Sequence, residues 1–149
     1  MRQLAAYGVA VGVRTGWECR ILRRAAVGAE QTHTVVHLAN FPLPEQRDDF
    51  GGGVTASMRA ADVLVVLFEY GPESLGRPLF ASQGMPRVTP NLFGPKRLQR
   101  PLPGQVGCQL FFTANNRPFC LYVVAGSQAY LPQLAAEVNL GLQTLEIQP

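Results

Sequence analysis

Two histidines four residues apart are candidate metal ligands in this chain. His33 and His37 have the spacing that places two metal ligands on one face of a helix. The intervening Thr-Val-Val is β-branched and favours a strand, in which four residues separate the side chains by about 13 Å. One zinc ion cannot join side chains that far apart, so the sequence predicts no metal site and no cofactor.

The cysteines could supply a nucleophile or a disulfide. Cys19, Cys108 and Cys120 have no framework spacing, and an odd number of cysteines favours a reducing compartment. A catalytic thiol at Cys120 would need a histidine or aspartate brought to it from elsewhere, and nothing in the sequence requires that. We therefore predict structural cysteines, a cytoplasmic location and no catalytic residues.

A polar pocket is the small-molecule hypothesis that the sequence supports. It would lie between the sheet and two loops, residues 41–53 and 84–104. Five side chains could supply its polar contacts: His37, Asp48, Asp49, Arg97 and Arg100. On this hypothesis the protein is a small-molecule-binding protein or a minor enzyme.

One hairpin organises the elements that must position these residues. Runs of aromatic and β-branched residues flank Asn115-Asn116, and asparagine tolerates the positive φ of a tight turn. A turn centred there predicts an apolar face with three cross-strand pairs: Cys108 with Val123, Leu110 with Leu121, and Phe112 with Phe119.

The opposite face of the hairpin is mixed. Gln109, Phe111 and Thr113 are expected opposite Tyr122, Cys120 and Pro118. In this register Cys108 and Cys120 point to opposite faces, so they are not expected to form a disulfide.

An amphipathic helix follows the hairpin. Apolar residues recur at three- and four-residue steps from Leu131 to Leu145, and Pro132 suits a first helical turn. Gly141 predicts that the helix ends near that position, and Leu-Glu-Ile-Gln then predicts a short closing strand. We expect the helix to cover the apolar face of the hairpin.

The sequence before the hairpin predicts strands and loops. Alternation predicts strands over residues 4–13, 17–24 and 34–39, with the three as antiparallel neighbours, and residues 62–70 predict a central strand. A short helix follows the glycines at 51–53, and residues 84–106 predict a long loop with a short strand near Leu98. The predicted fold class is α+β, in one domain of residues 1–149, with antiparallel strands and a C-terminal helix.

Charge, hydropathy and the N-terminal sequence argue against nucleic-acid binding, a membrane span and a signal peptide. The net charge of +3 is small and its signs are interspersed, which does not favour nucleic acid. No apolar run approaches the roughly 20 residues of a membrane span. No small-x-small cleavage site follows the first apolar stretch, so no signal peptide is predicted.

This order of elements resembles the PsbP-like superfamily, including its actinobacterial and DcrB-type branch. The resemblance rests on Gly16-Trp17 at the start of the second strand, on the Asn115-Asn116 hairpin before Phe119, and on the terminal Thr-Leu-Glu-Ile. It implies an αβ sandwich, in which the antiparallel sheet has the C-terminal helix on one side and short helices on the other. It also implies a role in binding or assembly with other proteins. The lipidated cysteine of the lipoprotein branch follows small residues, whereas Trp17-Glu18 precede Cys19 here, so that anchor is not expected.

The functional prediction is a non-catalytic protein-binding or assembly module, such as a subunit of a larger bacterial complex. Its partner would be another protein or a second copy of the chain. Surplus apolar residues on the second hairpin face and in the loops form the predicted interface: Phe41, Phe50, Leu92, Phe93, Phe111 and Tyr122. The alternative is that these side chains only cap the core under the loops.

Overall fold

The structure, a computed structural model, describes residues 1–25, 32–44 and 52–149. Its strands are β1 (Arg2–Ala6), β2 (Val9–Val13), β3 (Glu18–Ala25), β4 (Thr32–Ala39), β5 (Val63–Glu69), β6 (Val106–Ala114), β7 (Arg117–Ala125) and β8 (Glu146–Ile147). Its α-helices are α1 (Gly52–Thr55) and α2 (Leu131–Gln143), and single 3-10 turns begin at Pro72, Pro78, Pro90 and Pro95.

The predicted hairpin is β6 and β7, and its register is confirmed. Cys108 pairs with Val123, Leu110 with Leu121 and Phe112 with Phe119, and Gln109, Phe111 and Thr113 oppose the predicted partners on the other face. Asn115 and Asn116 have φ values of 48° and 62°, the positive φ that a two-residue hairpin turn requires. Alternation and turn chemistry were therefore sufficient to set this pairing.

The described strands form two antiparallel sheets. The larger has the order β3-β4-β5-β7-β6, so the run that is apolar on both faces is its central strand, as predicted. The smaller has the order β1-β2-β8 and contains the predicted closing strand. The α+β class is confirmed, with the sheet content divided between two sheets.

Two apolar layers cover the two faces of the five-stranded sheet. On one side, β2 and α2 pack on it, with Val11 and Val138 in the same cluster as Leu121. On the other side, Val54 of α1 and residues Phe41 and Leu43 pack on it. The C-terminal helix therefore covers the apolar face of the hairpin, and the short helix lies opposite. The helix continues two residues past Gly141, to Gln143.

The N-terminal prediction of one strand over residues 4–13 was wrong. The chain turns at Tyr7 and Gly8, where φ is 53° and 77°, and β1 and β2 pair with Ala6 opposite Val9. Both β1 and β2 belong to the small sheet, whereas β3 and β4 belong to the large one, so the first three predicted strands are not consecutive neighbours. Tyrosine is not a common turn residue, which is why alternation concealed the turn.

The long segment before β6 is a loop, as predicted, but the short strand near Leu98 is absent from it. The buried amide of Asn139 on α2 ties this loop down by accepting a hydrogen bond from the Val88 N–H at 2.9 Å and donating one to the Val88 carbonyl at 2.8 Å. The loop also covers the outer edge of β6, where Gly94 and Gly107 exchange backbone hydrogen bonds of 2.9 and 3.1 Å. Covering this edge satisfies backbone groups that would otherwise be open to another strand.

Among the described residues, no helix has both the length and the apolar character needed to cross a membrane.

Candidate functional site

A cleft of about 600 Å³ lies where β5 ends and β7 begins. Its walls come from the β1–β2 turn, from β3 and β4, and from the segment after β5. The described lining is Tyr7, Gly8, Arg23, His33, Glu69, Tyr70, Gly71, Pro72, Arg117 and Pro149. A volume of this size is typical of small-molecule sites.

Arg117 is the centre of the hydrogen bonding in this cleft. Its guanidinium donates to both carboxylate oxygens of Glu69, at 2.8 and 2.9 Å. It also donates to the backbone carbonyls of Tyr7 at 3.2 Å, Gln148 at 3.0 Å and Gly8 at 3.4 Å, and it lies 5.5 Å from the centre of the Phe119 ring. One side chain therefore joins the large sheet to the small sheet.

Glu69 is held as an anion by this arrangement. Burial opposes its charge, but the hydrogen bonds and charge of Arg117 and the hydrogen bonds of Thr34 outweigh burial, so the pKa of the carboxyl is lowered. A carboxylate with both oxygens bound to a guanidinium is a weak proton acceptor. Glu69 therefore has the geometry of a structural partner and is not placed as a general base.

Arg23 is the second cation of the cleft, and it is exposed. Its guanidinium carbon lies 5.0 Å from the centre of the Tyr7 ring, a cation–π contact that fixes the side chain against the β1–β2 turn. Within the described part of the chain, no carboxylate lies within ion-pair distance of it. Arg23 is thus positioned and retains its donors for a ligand.

Aromatic groups form the remaining wall. Tyr70 is half-buried, its ring packs 5.3 Å from that of Phe68, and burial raises the pKa of its hydroxyl. His33 packs edge-on against Phe68 at 5.8 Å, and its Nδ1 is buried without a hydrogen-bond partner among the described residues. The described cleft therefore combines Arg23, a cation without an acidic partner, with aromatic side chains that carry polar atoms.

The described residues of the predicted interface do not form one surface. Phe41 and Tyr122 are buried in the layer beneath α1, and the Tyr122 hydroxyl accepts a hydrogen bond from the Gln99 N–H at 2.6 Å. Phe111 is half-buried, 5.7 Å from Phe80, whereas Leu92 and Phe93 pack against the layer on the α2 side. Phe50 lies outside the described residues. The described members therefore mainly complete the core of this chain.

The three described residues of the predicted polar pocket, His37, Arg97 and Arg100, do not line the described cavities. His37 is fully buried on β4, while Arg97 and Arg100 are exposed, and Arg97 donates to the Leu92 carbonyl at 2.9 Å. Asp48 and Asp49 lie outside the described residues. A cavity of about 290 Å³ does involve the loop at Met85 and Arg87, but α2 forms its other wall, and none of the three described side chains of the predicted pocket lines it.

Arg117 and Glu69 were missed as site residues, although the sequence contained a signal for them. In the predicted register Arg117 alternates with Phe119 and Leu121, so it must point to the apolar face. Glu69 likewise alternates with Leu67 on the central strand. A charged residue at an inward-facing position needs a partner, and these two supply each other.

The three thiols are buried away from the cleft, and this predicts their reactivity. Burial raises the pKa of Cys19 to about 11 and the pKa values of Cys108 and Cys120 to about 12. Since the thiolate is the reactive form, we expect a disulfide reagent such as Ellman's to react very slowly with native protein at mildly alkaline pH. The denatured chain should react rapidly at all three cysteines. Rapid reaction of one thiol in native protein would contradict this placement.

No group of three or more metal-binding side chains that could hold an ion occurs in residues 1–25, 32–44 and 52–149. No protein-family model, curated protein or solved structure matches this chain. The PsbP-like resemblance therefore stays a prediction.

Proposed function

We propose that this chain is a non-catalytic binding protein for a small organic anion, with the cleft at the end of the five-stranded sheet as its site. The observation that carries the proposal is Arg23, which is held over Tyr7 and has no acidic partner in the described structure. The other cation of the cleft, Arg117, is already bound to Glu69 and to backbone carbonyls.

The side chains of the cleft favour an anion. Its described lining contains two guanidinium side chains and one carboxylate side chain, and that carboxylate, Glu69, is paired with Arg117, so the guanidinium of Arg23 is left for an anion. A guanidinium presents paired N–H donors that match a carboxylate or phosphate group. The aromatic rings of Tyr7 and Tyr70 supply apolar surface in the same cleft.

The small-molecule site that we propose therefore lies at the end of the sheet, whereas the sequence predicted one between the sheet and the loops at 41–53 and 84–104. The protein-binding or assembly hypothesis depended on exposed aromatic side chains, and those described here mainly pack within the chain. It stays a prediction, together with a bacterial complex and a protein partner.

The proposal is tested by calorimetric titration of acetate, benzoate and inorganic phosphate into the protein and two variants. Arg23→Gln removes the proposed contact, and Arg87→Gln removes an exposed arginine that lines a different cavity. A charge-assisted hydrogen bond contributes about 1.5–3 kcal/mol, so we expect Arg23→Gln to weaken anion binding about tenfold or more. Arg87→Gln should leave it unchanged.

Two results would overturn the proposal. One is that none of the three anions binds the unaltered protein at millimolar concentration. The other is that Arg23→Gln and Arg87→Gln have equal effects, which would mean that binding follows net charge and not this cleft.

A further inference from the structure

A second hollow adjoins the cleft and shares two lining residues with it. It has a volume of about 230 Å³, and Tyr7 and Gly8 line both cavities. The rest of its lining is mostly small and apolar: Ala5, Ala6, Val9 and Ala10, with Glu146 and Gln148 beside them. A polar cleft and an apolar hollow therefore meet at the β1–β2 turn.

The hollow results from small side chains on the outer side of the small sheet. Ala5 pairs with Ala10 across the hairpin, and Ala10 pairs with Glu146 of β8. Alanine is depleted in strands, where larger β-branched and aromatic residues cover the pleated surface better. Two alanines opposite each other leave a depression where larger side chains would have filled the surface.

Tyr7 forms the boundary between the two cavities. The tight turn gives it a positive φ of 53° and leaves its side chain 47% exposed. Arg23 stacks on its ring, so the cationic group of the cleft lies directly against the residue that also borders the hollow. A ligand bound to Arg23 would pass Tyr7 to reach the alanine surface.

We infer that the ligand is an aliphatic monocarboxylate, whose carboxylate binds Arg23 and whose alkyl chain lies in the alanine hollow. This inference rests on the proposed function, since it assigns a ligand class to the same cleft. Glu146 strengthens the assignment because its exposed carboxylate at the hollow would repel a second anionic group, which disfavours dicarboxylates.

Calorimetric titration of four compounds measures the contributions of the carboxylate and the alkyl chain to the affinity separately. The compounds are acetate, hexanoate, hexanol and 6-aminohexanoate. Each buried methylene contributes about 0.8 kcal/mol, so even partial burial of the chain should make hexanoate bind about tenfold or more tightly than acetate. Hexanol lacks the carboxylate and should bind weakly or not at all. In 6-aminohexanoate the tail ends in an ammonium group. Its attraction to the exposed Glu146 carboxylate is weaker than the cost of desolvating the charge in the apolar hollow, so 6-aminohexanoate should bind more weakly than hexanoate.

The variant Ala5→Gln tests the position of the tail. Ala5 is exposed on the outer side of the sheet, so the longer side chain should fill the hollow without disturbing the core. We expect hexanoate affinity to fall to the level of acetate while acetate affinity is unchanged. Thermal unfolding of the variant checks that the fold is retained.

The outcomes distinguish the two proposals. If acetate and hexanoate bind equally and both lose affinity with Arg23→Gln, the anion site stands and the alkyl assignment is wrong. If 6-aminohexanoate binds as tightly as hexanoate, its ammonium group pairs with the Glu146 carboxylate, and the assignment of the hollow to an apolar tail is wrong. If hexanol binds as tightly as hexanoate, Arg23 does not hold the head group. If none of the four binds, the proposed function fails with the inference.

Discussion

Replacing Arg117 with methionine is expected to destabilise the protein by about 3–5 kcal/mol, the typical cost of removing one partner from a buried ion pair. The side chains of Arg117 and Glu69 are only 12% and 16% exposed, so the carboxylate would remain partly buried without its counter-charge. Three backbone carbonyls at the junction of the two sheets would also lose a donor. Urea denaturation followed by circular dichroism measures the loss.

The chain contains a matched control for this substitution. Arg59 pairs with Asp62 at 3.7 Å, but the Arg59 side chain is 84% exposed. Exposed pairs contribute between 0 and about 1 kcal/mol, so Arg59→Met should have a small effect. Equal effects of the two substitutions would mean that Arg117 does not join the sheets in the way that its hydrogen bonds indicate.

The double variant Arg117→Met with Glu69→Gln separates the two causes of the loss. Glutamine removes the buried charge but cannot replace the donors to the three carbonyls. Recovery of part of the lost stability, relative to Arg117→Met alone, would assign that part to the unpaired carboxylate. No recovery would assign the whole effect to the carbonyls and to packing on Phe119.

The elements that were predicted correctly are those whose signals are local. The register of β6 and β7 follows from alternation and from two asparagines at the turn, all within about 20 residues of sequence. The central position of β5 follows from its being apolar on both faces. Each of these signals is contained within the element itself.

The site was not predictable in the same way, because its residues come from distant parts of the chain. Arg117 reaches Tyr7 across 110 positions, and the contact requires the β1–β2 turn that alternation concealed. Arg23 reaches the same turn from an edge strand of the other sheet. The inward-facing positions of Arg117 and Glu69 could be inferred, but the identity of each partner depended on how the two sheets pack.

Gly126 is a position where a single methyl group should have the second largest effect. It follows β7, and a Cβ atom placed there would lie 1.8 Å from the Arg59 carbonyl oxygen and 2.8 Å from the carbon of the same carbonyl. The Gly126 N–H also donates to the Asp62 carbonyl at 2.8 Å. The turn that leads into the central strand therefore packs directly against this residue.

The clash is with backbone held from several sides, so it cannot be relieved by rotating a side chain. Asp62 accepts a hydrogen bond from the Arg59 N–H at 2.8 Å, and Ser127 donates to the Ala60 carbonyl at 3.1 Å. Forcing an atom into a packed region typically costs about 1–3 kcal/mol. We expect Gly126→Ala to lie at the upper end, about 3 kcal/mol.

Thermal unfolding measures this effect. For a chain of this size, a loss of about 3 kcal/mol lowers Tm by about 6–12 °C. Gly94→Ala is the matched control, because Gly94 has an extended φ of −161° and no atom lies within 4 Å of its added Cβ. Since alanine restricts the unfolded chain more than glycine does, that variant should be as stable as the original protein or slightly more so. If Gly126→Ala unfolds at the same temperature as Gly94→Ala, the turn at residues 59–62 can move away from β7. The close packing at the start of the central strand would then not be a requirement of the fold.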